Sequence, residues 1–238
     1  MLVLSNSLGT DMGMWDDQLP ALADRFRVLR YDQRGHGRSP APPGPYTVGE
    51  LGGDVLDLMD RLGLERVSFC GVSMGGMTGM WLAINAPDRL DRLALCCTSA
   101  HLPPREMWTE RAATVRAHGI EPVVDSQLER WFTPSAGPDL VDRTRRALLA
   151  TPPEGYAGCC EAIGSHDLRS ELGAIRAPTL VLSAPDDPAT PPEHGRVVAD
   201  AVEGARFVVL ERGRHLAAAE EPERFAQALL AHLQRDPG

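Results

Sequence analysis

An α/β fold, with a mostly parallel sheet covered by helices on both faces, is predicted by two patterns in the chain. Short, nearly continuous apolar runs alternate with longer helical ones, as expected for strands buried on both faces. Between residues 101 and 172 the alternation stops and helical stretches follow one another without a strand. That break predicts a helical cap at 101–172, inserted between core segments 1–100 and 173–238. At 238 residues and 43% hydrophobic, the chain has enough apolar content for one good core.

The first strand is read at Met1–Ser5 and the second at Phe26–Tyr31, after a short helical segment around Gln18 to Ala23. A helix follows from Thr47, where Thr47 and Glu50 have capping-box spacing and Leu51, Val55, Leu58, Met59 and Leu62 share a face. Gly63 closes it as a C-terminal cap. Val67–Cys70 is the third strand, and the helix after it ends near Asn85-Ala86-Pro87. Leu93–Cys97 is a further buried strand. In the insertion, helices are read at Arg105–His118, Glu121–Phe132, Leu140–Leu149 and Tyr156–Ile163, separated by proline-rich joints. Strands resume at Pro178–Ser183 and Arg206–Leu210. The last helix starts at Pro222 and turns Phe225, Leu229, Leu230 and Leu233 inward.

Gly71-Val72-Ser73-Met74-Gly75 lies between a strand-like run and a helix-like run. G-x-S-x-G in that setting describes a nucleophile elbow, a sharp turn that lifts a serine hydroxyl above the end of a sheet. Side chains at 71 and 75 would collide with the neighbouring strand and helix, so glycine fits both positions. A serine hydroxyl needs a base to take its proton, and the base needs an orienting acid. Asp186 and Asp187 follow one downstream strand and His215 follows the next, so neighbouring loops can bring an acid and an imidazole to Ser73. The adjacent aspartates leave the choice of acid open on spacing alone.

The net charge of -9 and a pI near 5.3 argue against nucleic acid and anionic membrane surfaces as partners. All 24 basic residues are arginine. Cys70, Cys96, Cys97, Cys159 and Cys160 show no metal-ligand spacing and read as buried free thiols of a reducing compartment. No apolar stretch reaches the roughly 18 residues of a membrane span, and no signal peptide opens the sequence. A cytoplasmic protein without a metal centre is expected.

Asp32-Gln33-Arg34-Gly35-His36-Gly37-Arg38-Ser39 resembles the D-x-R-G-x-G-x-S loop of the α/β-hydrolases, and the whole chain is similar to their cap-bearing members. More narrowly, three stretches resemble the 3-oxoadipate enol-lactonases: Leu4–Thr10 with its Asn-Ser-Leu-Gly, Leu128–Pro134, and Asp187-Pro188-Ala189-Thr190-Pro191-Pro192. The resemblance runs nearly end to end. It selects Asp187 over Asp186 as the acid, although Ala184 stands where a glycine is usual. It also implies a fold that normally has two strands before the first one here. Their absence would leave Phe26–Tyr31 as an unpaired edge, and a start internal to a longer protein is the expectation.

What the resemblance implies for function is opening of the lactone ring of 3-oxoadipate enol-lactone to 3-oxoadipate, without metal or organic cofactor. Ser73 would be the nucleophile, His215 the base and Asp187 its orienting acid. The backbone N–H groups of Leu8 and Met74 would form the oxyanion hole. Trp131 and Arg130, with Arg111 beside them, are the expected substrate-contacting residues of the cap. His36, Asp32 and Arg34 read as structural. Some enol-lactonases are fused to a carboxymuconolactone decarboxylase, so fusion or association with such a domain beyond Pro237-Gly238 is a further expectation. A carboxylesterase or cofactor-free perhydrolase of the same fold, or a non-catalytic ligand receptor, are the alternatives.

Overall fold

The computed structural model describes residues 1–234; the expectation placed at Pro237-Gly238 lies outside them. Six strands form one sheet: β1 (Leu2–Ser5), β2 (Val28–Arg30), β3 (Val67–Val72), β4 (Leu90–Cys96), β5 (Thr179–Ser183) and β6 (Arg206–Val209). Their order is β2-β1-β3-β4-β5-β6, and every neighbouring pair is parallel. Parallel neighbours require crossovers, and the helices between strands supply them. The central strands β1, β3 and β5 are buried along their whole length, as their continuous apolar runs require. β2 and β6 are the edge strands and are only partly buried.

Helices α1 (Leu19–Ala23), α2 (Val48–Arg61) and α3 (Met74–Asn85) lie between the early strands. The α2 capping box forms as read: Thr47 Oγ1 accepts from Glu50 N (3.1 Å) and Glu50 Oε2 accepts from Thr47 N (2.8 Å). Leu62 departs from the predicted inward face and is 52% exposed. It is the C-cap residue, no longer in helical conformation, immediately before Gly63 at φ +63°. β4 begins three residues earlier than its apolar run suggests. Asp91 and Arg92 lie in this first, less buried half, so the strand starts before its hydrophobic signal does.

Four helices follow β4: α4 (Arg105–His118), α5 (Glu121–Trp131), α6 (Pro138–Leu149) and α7 (Pro153–Ser165). Pro122, Pro138 and Pro153 each fall in the first turn of their helix, where a missing N–H costs nothing. α4 packs along α7, and α5 packs on α4 and α6. The chain then returns to the sheet with β5, α8 (Pro192–Ala201), β6, a short α9 (Ala217–Glu220) and α10 (Pro222–Leu233). α1 packs with α10 and α2 with α3, while α8 lies against β5 and β6. All five cysteines are buried and free, with Cys70 and Cys96 Sγ atoms 3.8 Å apart. No helix among the described residues is long and apolar enough to cross a membrane.

Candidate active site

Ser73 joins β3 to α3 with φ 56° and ψ −116°, one of two non-glycine residues at positive φ among those described. Such a conformation persists only where the surroundings over-determine it. Here Ser73 N donates to Cys96 O (2.9 Å), while Ser73 O accepts from Thr98 Oγ1 (2.7 Å) and Met77 N (3.0 Å). Gly75 N donates to Asn6 O (3.0 Å), which ties the turn to the end of β1. A Cβ on Gly71 would strike the Gly75 carbonyl, and one on Gly75 would strike the backbone of Ser5 and Asn6. The two glycines thus let three backbone segments converge beneath the hydroxyl.

His215 lies in the loop after β6, and its Nε2 is 2.8 Å from Ser73 Oγ. Its Nδ1 is 2.8 Å from Asp187 Oδ2. An ionised carboxylate only accepts, so Nδ1 carries the proton and Nε2 is left to accept from the serine hydroxyl. Asp187 Oδ1 accepts from Ala189 N (2.8 Å) and Thr190 N (3.0 Å), and Oδ2 accepts from Thr190 Oγ1 (2.7 Å). Burial acts to raise the Asp187 pKa. The His215 ring and the Thr190 hydrogen bonds outweigh it and hold the carboxyl below its ordinary range. Asp186, by contrast, is exposed, and of the two adjacent aspartates it is Asp187 whose carboxylate meets the imidazole. Ala184 is not at positive φ, so the glycine usual there is not needed for backbone conformation.

Leu8 follows β1 and is placed in the same cavity as Ser73. Among the described residues, neither Leu8 N–H nor Met74 N–H donates a hydrogen bond to protein. Trp131 is buried and lines this cavity, and Arg130 and Arg111 line it as well. The C-terminus of α5 is tied to the histidine loop by Leu216 N donating to Trp131 O (3.1 Å). The Arg111 guanidinium lies 4.7 Å over the Trp108 ring. Burial raises the Tyr156 phenol, and Arg111 and Arg130 partly offset that rise.

The cavity, about 290 Å³, is lined on the side of the helical layer by Met107, Trp108, Gln127 and Ile163. Its lining contains two arginines and no aspartate or glutamate. His194 also reaches it, with Nδ1 3.0 Å from Ser99 Oγ. Sequence reasoning gave Thr190 and Gln127 no role. The Thr190 contribution is partly readable, because a hydroxyl three residues after an aspartate can close an Asx-type turn onto it. Gln127 carries no such local signal. Asp32 and Arg34 brace the loop beside β2: Asp32 Oδ1 accepts from Met12 N (2.8 Å), and Arg34 forms a two-pronged pair with Asp54 (2.8 and 2.7 Å). No group of three or more His, Cys, Asp or Glu side chains among the described residues is placed to hold a metal ion.

The α/β hydrolase fold family matches residues 1–222. The chain is similar to 3-oxoadipate enol-lactonase 2 of Acinetobacter baylyi, at 38% identity over 98% of this chain and 88% of the relative. It is also 31% identical to the putative carbamate hydrolase RutD of Stutzerimonas stutzeri, over 100% of this chain and 92% of the relative. Among solved structures, the enol-lactonase from Burkholderia xenovorans LB400 superposes with a TM-score of 0.96 at 46% identity, covering 98% of this chain and 91% of that one. The chain belongs to the α/β-hydrolase fold family.

Proposed function

We propose that this protein opens the lactone ring of 3-oxoadipate enol-lactone to give 3-oxoadipate, a step of aromatic catabolism in the β-ketoadipate pathway. The observation that carries this reading is the cavity at Ser73: a serine hydrogen-bonded to a tautomer-fixed imidazole, with two arginines and no aspartate or glutamate among the lining residues. An ordinary neutral ester has no use for two cations. A lactone bearing a free carboxylate does, and the similarity to enol-lactonases points the same way.

In this mechanism His215 Nε2 takes the Ser73 proton as Oγ attacks the ring carbonyl. The carbonyl oxygen becomes an oxyanion that accepts from Leu8 N–H and Met74 N–H, each such donor contributing about 3 kcal/mol to barrier lowering. Collapse of the adduct breaks the ring C–O bond. The acyl group stays on Ser73 and the tethered enolate leaves, taking its proton from His215. An enolate is a weaker base than an alkoxide, so it departs readily. Its ketonisation removes the oxygen nucleophile that could re-close the ring. His215 then draws a proton from water, which attacks the acyl carbon and releases the second carboxylate and Ser73. Asp187 stabilises the imidazolium in both halves. The helices α4–α7 act as the cap, with Trp131 as an apolar wall and Arg130 and Arg111 facing the substrate carboxylate.

The similarity to a putative carbamate hydrolase favours a second reading, in which the same serine cleaves a carbamate. A spectrophotometric assay separates the two. Enol-lactone loss with kcat/KM at least about 10²-fold above that for carbamate or p-nitrophenyl acetate supports the lactonase reading; the reverse ranking rejects it. That ratio is about 2.7 kcal/mol of differential transition-state binding.

A further inference from the structure

His36 reads from sequence as a structural residue of the Asp32–Ser39 loop, yet its imidazole touches the backbone of the loop that carries Leu8. The ring is fully buried and both nitrogens are engaged. Nε2 lies 2.8 Å from Gly9 N, which donates to it, and Nδ1 lies 3.1 Å from the Arg34 carbonyl oxygen. A nitrogen that accepts from an amide presents a lone pair, so Nδ1 bears the proton and donates to Arg34 O. Burial keeps this imidazole neutral, against the pull of the Arg34 carbonyl, Asp32 and Asp11. One tautomer of the neutral ring satisfies both partners.

What the Gly9 N–H belongs to gives this contact its consequence. Ser7, Leu8, Gly9 and Thr10 form a tight turn: Thr10 N donates to Ser7 O (3.2 Å), and Gly9 occupies φ +75°. A positive φ at the third position is the mark of a type II turn. Its corner residues are Leu8 and Gly9, and the peptide joining them carries the Gly9 N–H, so a contact that holds this peptide anchors the turn at whose first corner Leu8 stands. The acceptor on His36 holds the N–H of that corner peptide in one orientation. The loop behind His36 is firm. Gly35 stacks on Gly155 of α7 so closely that neither has room for a Cβ. Asp32 accepts from Met12 N and from Arg38 N (3.0 Å).

We propose that His36 is a positioning residue of the oxyanion hole, whose neutral imidazole, acting through the Gly9 N–H, fixes the backbone of Leu8 so that its free N–H is aimed at the oxygen developing above Ser73. The inference rests on the acyl-enzyme reading of Ser73 and adds to it a residue that never meets the substrate. It also gives the fully buried imidazole a use beyond filling space, since an apolar side chain would fill the same space without accepting a hydrogen bond.

The test compares native protein with His36→Leu and His36→Gln, on p-nitrophenyl acetate and on the enol-lactone. Glutamine can present its amide oxygen near the position of Nε2, whereas leucine offers no acceptor. The leucine variant is expected to lose about 10²-fold in kcat, the effect of misplacing one oxyanion donor, with KM within about threefold of native. It should also bind phenylboronic acid, whose Ser73 adduct puts an oxygen in the hole, at least about tenfold more weakly, since a lost transition-state contact weakens an analogue too. Glutamine should restore kcat to within about tenfold of native. Should the leucine variant fail to fold, His36→Asn takes its place, because its shorter side chain stays polar but leaves the Gly9 N–H unpaired. Native kcat in the leucine or asparagine variant overturns the proposal, as does a glutamine variant no better than either. Native protein inert toward both substrates overturns the reading of Ser73 as well; an active native protein with either of the preceding results overturns the positioning role alone.

Discussion

Around Ser73 the backbone sets the tolerances, whereas in the helical layer above it long side chains do. Beneath the serine, Gly71, Gly75 and Gly76 let strand, helix and loop approach until no Cβ would fit, and the contacts that hold the turn are mostly main-chain. Across α4 and α7 one joint is the close approach of Gly164 to Trp108, and the other is a guanidinium: Arg116 bonds Glu154 through Nε (2.8 Å) and Nη2 (2.9 Å), and Glu161 through Nη1 (2.6 Å) and Nη2 (2.9 Å). A backbone-built site tolerates almost no substitution and keeps one geometry. A side-chain-built layer can exchange residues without disturbing the chemistry below, which is how one fold serves many substrates. The comparison predicts that changes below act on kcat and changes above act on KM or stability.

The sharpest attempt to break it is Ser73→Ala, which should cost roughly 10⁶-fold in kcat while leaving the melting temperature within a few degrees of native. Asp187→Asn should cost about 10⁴-fold, because an amide can donate to Nδ1 and stabilise the wrong tautomer. Asp186→Asn, one residue away but exposed, should stay within about twofold, since surface changes of this kind rarely matter. Steady-state kinetics with thermal melts on all three decides the matter. Equal losses at 186 and 187 would show that the acid has been misassigned.

Much of the lower region was legible because its signals are local. The elbow, the capping box and the start of the last helix at Pro222 each occupy a few consecutive residues, whereas α6 and α7 begin two and three residues before the Leu140 and Tyr156 starts read from sequence. The pairing of Ser73 with His215 was readable as an order of elements, although 142 positions separate them. Spacing could not separate Asp186 from Asp187; the resemblance chose Asp187, and geometry adds the reason, that the chain buries one carboxylate and leaves its neighbour in solvent. Nor did sequence announce that Thr190 would saturate that carboxylate, that His36 would reach Gly9, or that Arg116 would join α4 to α7. Those depend on which surfaces meet after folding. Leu62 and the first half of β4 mislead for the same reason, since periodicity reports an average environment and element ends depart from it.

Acid should loosen both regions. Burial lowers His166, at the end of α7, to about 4, and lowers His232 of α10 to about 4 as well. An unfolded histidine titrates near 6.5, so between about pH 6.5 and 4 the unfolded chain binds protons that the folded one does not. Stability is therefore full above about 6.5 and falls as pH is lowered through that window, by at most about 3 kcal/mol for each group. Asp187, held low, adds to the loss at the acid end. Urea melts at pH 7.5 and 4.5 should show the drop, and His166→Gln and His232→Gln should each remove part of it. A flat profile would mean that neither ring is buried in solution.

The cavity arginines belong to the upper layer, so their effect should fall on binding. Arg111→Leu with Arg130→Leu should raise KM for the carboxylate-bearing lactone by roughly 10- to 100-fold, the usual scale for hydrogen bonds to a charged group. KM for p-nitrophenyl acetate should move less than about threefold, because that ester carries no charge for the arginines to meet. Parallel losses on both substrates would place the two residues in structural rather than recognition roles.

The smallest expected effect is at Arg116 itself, and it tests whether the upper layer is as separable as it looks. The guanidinium and its partners are 34%, 36% and 20% exposed, so water screens the pairs and an isolated bridge here would contribute at most about 1 kcal/mol. Two features raise the value toward that limit. The fork engages two carboxylates at once, and Glu154 Oε1 also accepts from Gly44 N (2.7 Å), which binds the 44–46 loop to the same node. Arg116→Ala leaves two carboxylates facing each other, so it should cost about 1 kcal/mol, or roughly 2–4 °C in melting temperature for a chain this long. Arg116→Lys keeps the charge but lacks the planar fork, and should recover less than half. Raising sodium chloride to about 0.5 M should narrow the gap between native and variant, as screening requires. Turnover of p-nitrophenyl acetate should stay within about twofold throughout. A tenfold fall in kcat from this change would mean that the α4–α7 joint reaches down to the serine, and the division between a backbone-built floor and a side-chain-built roof would have to be abandoned.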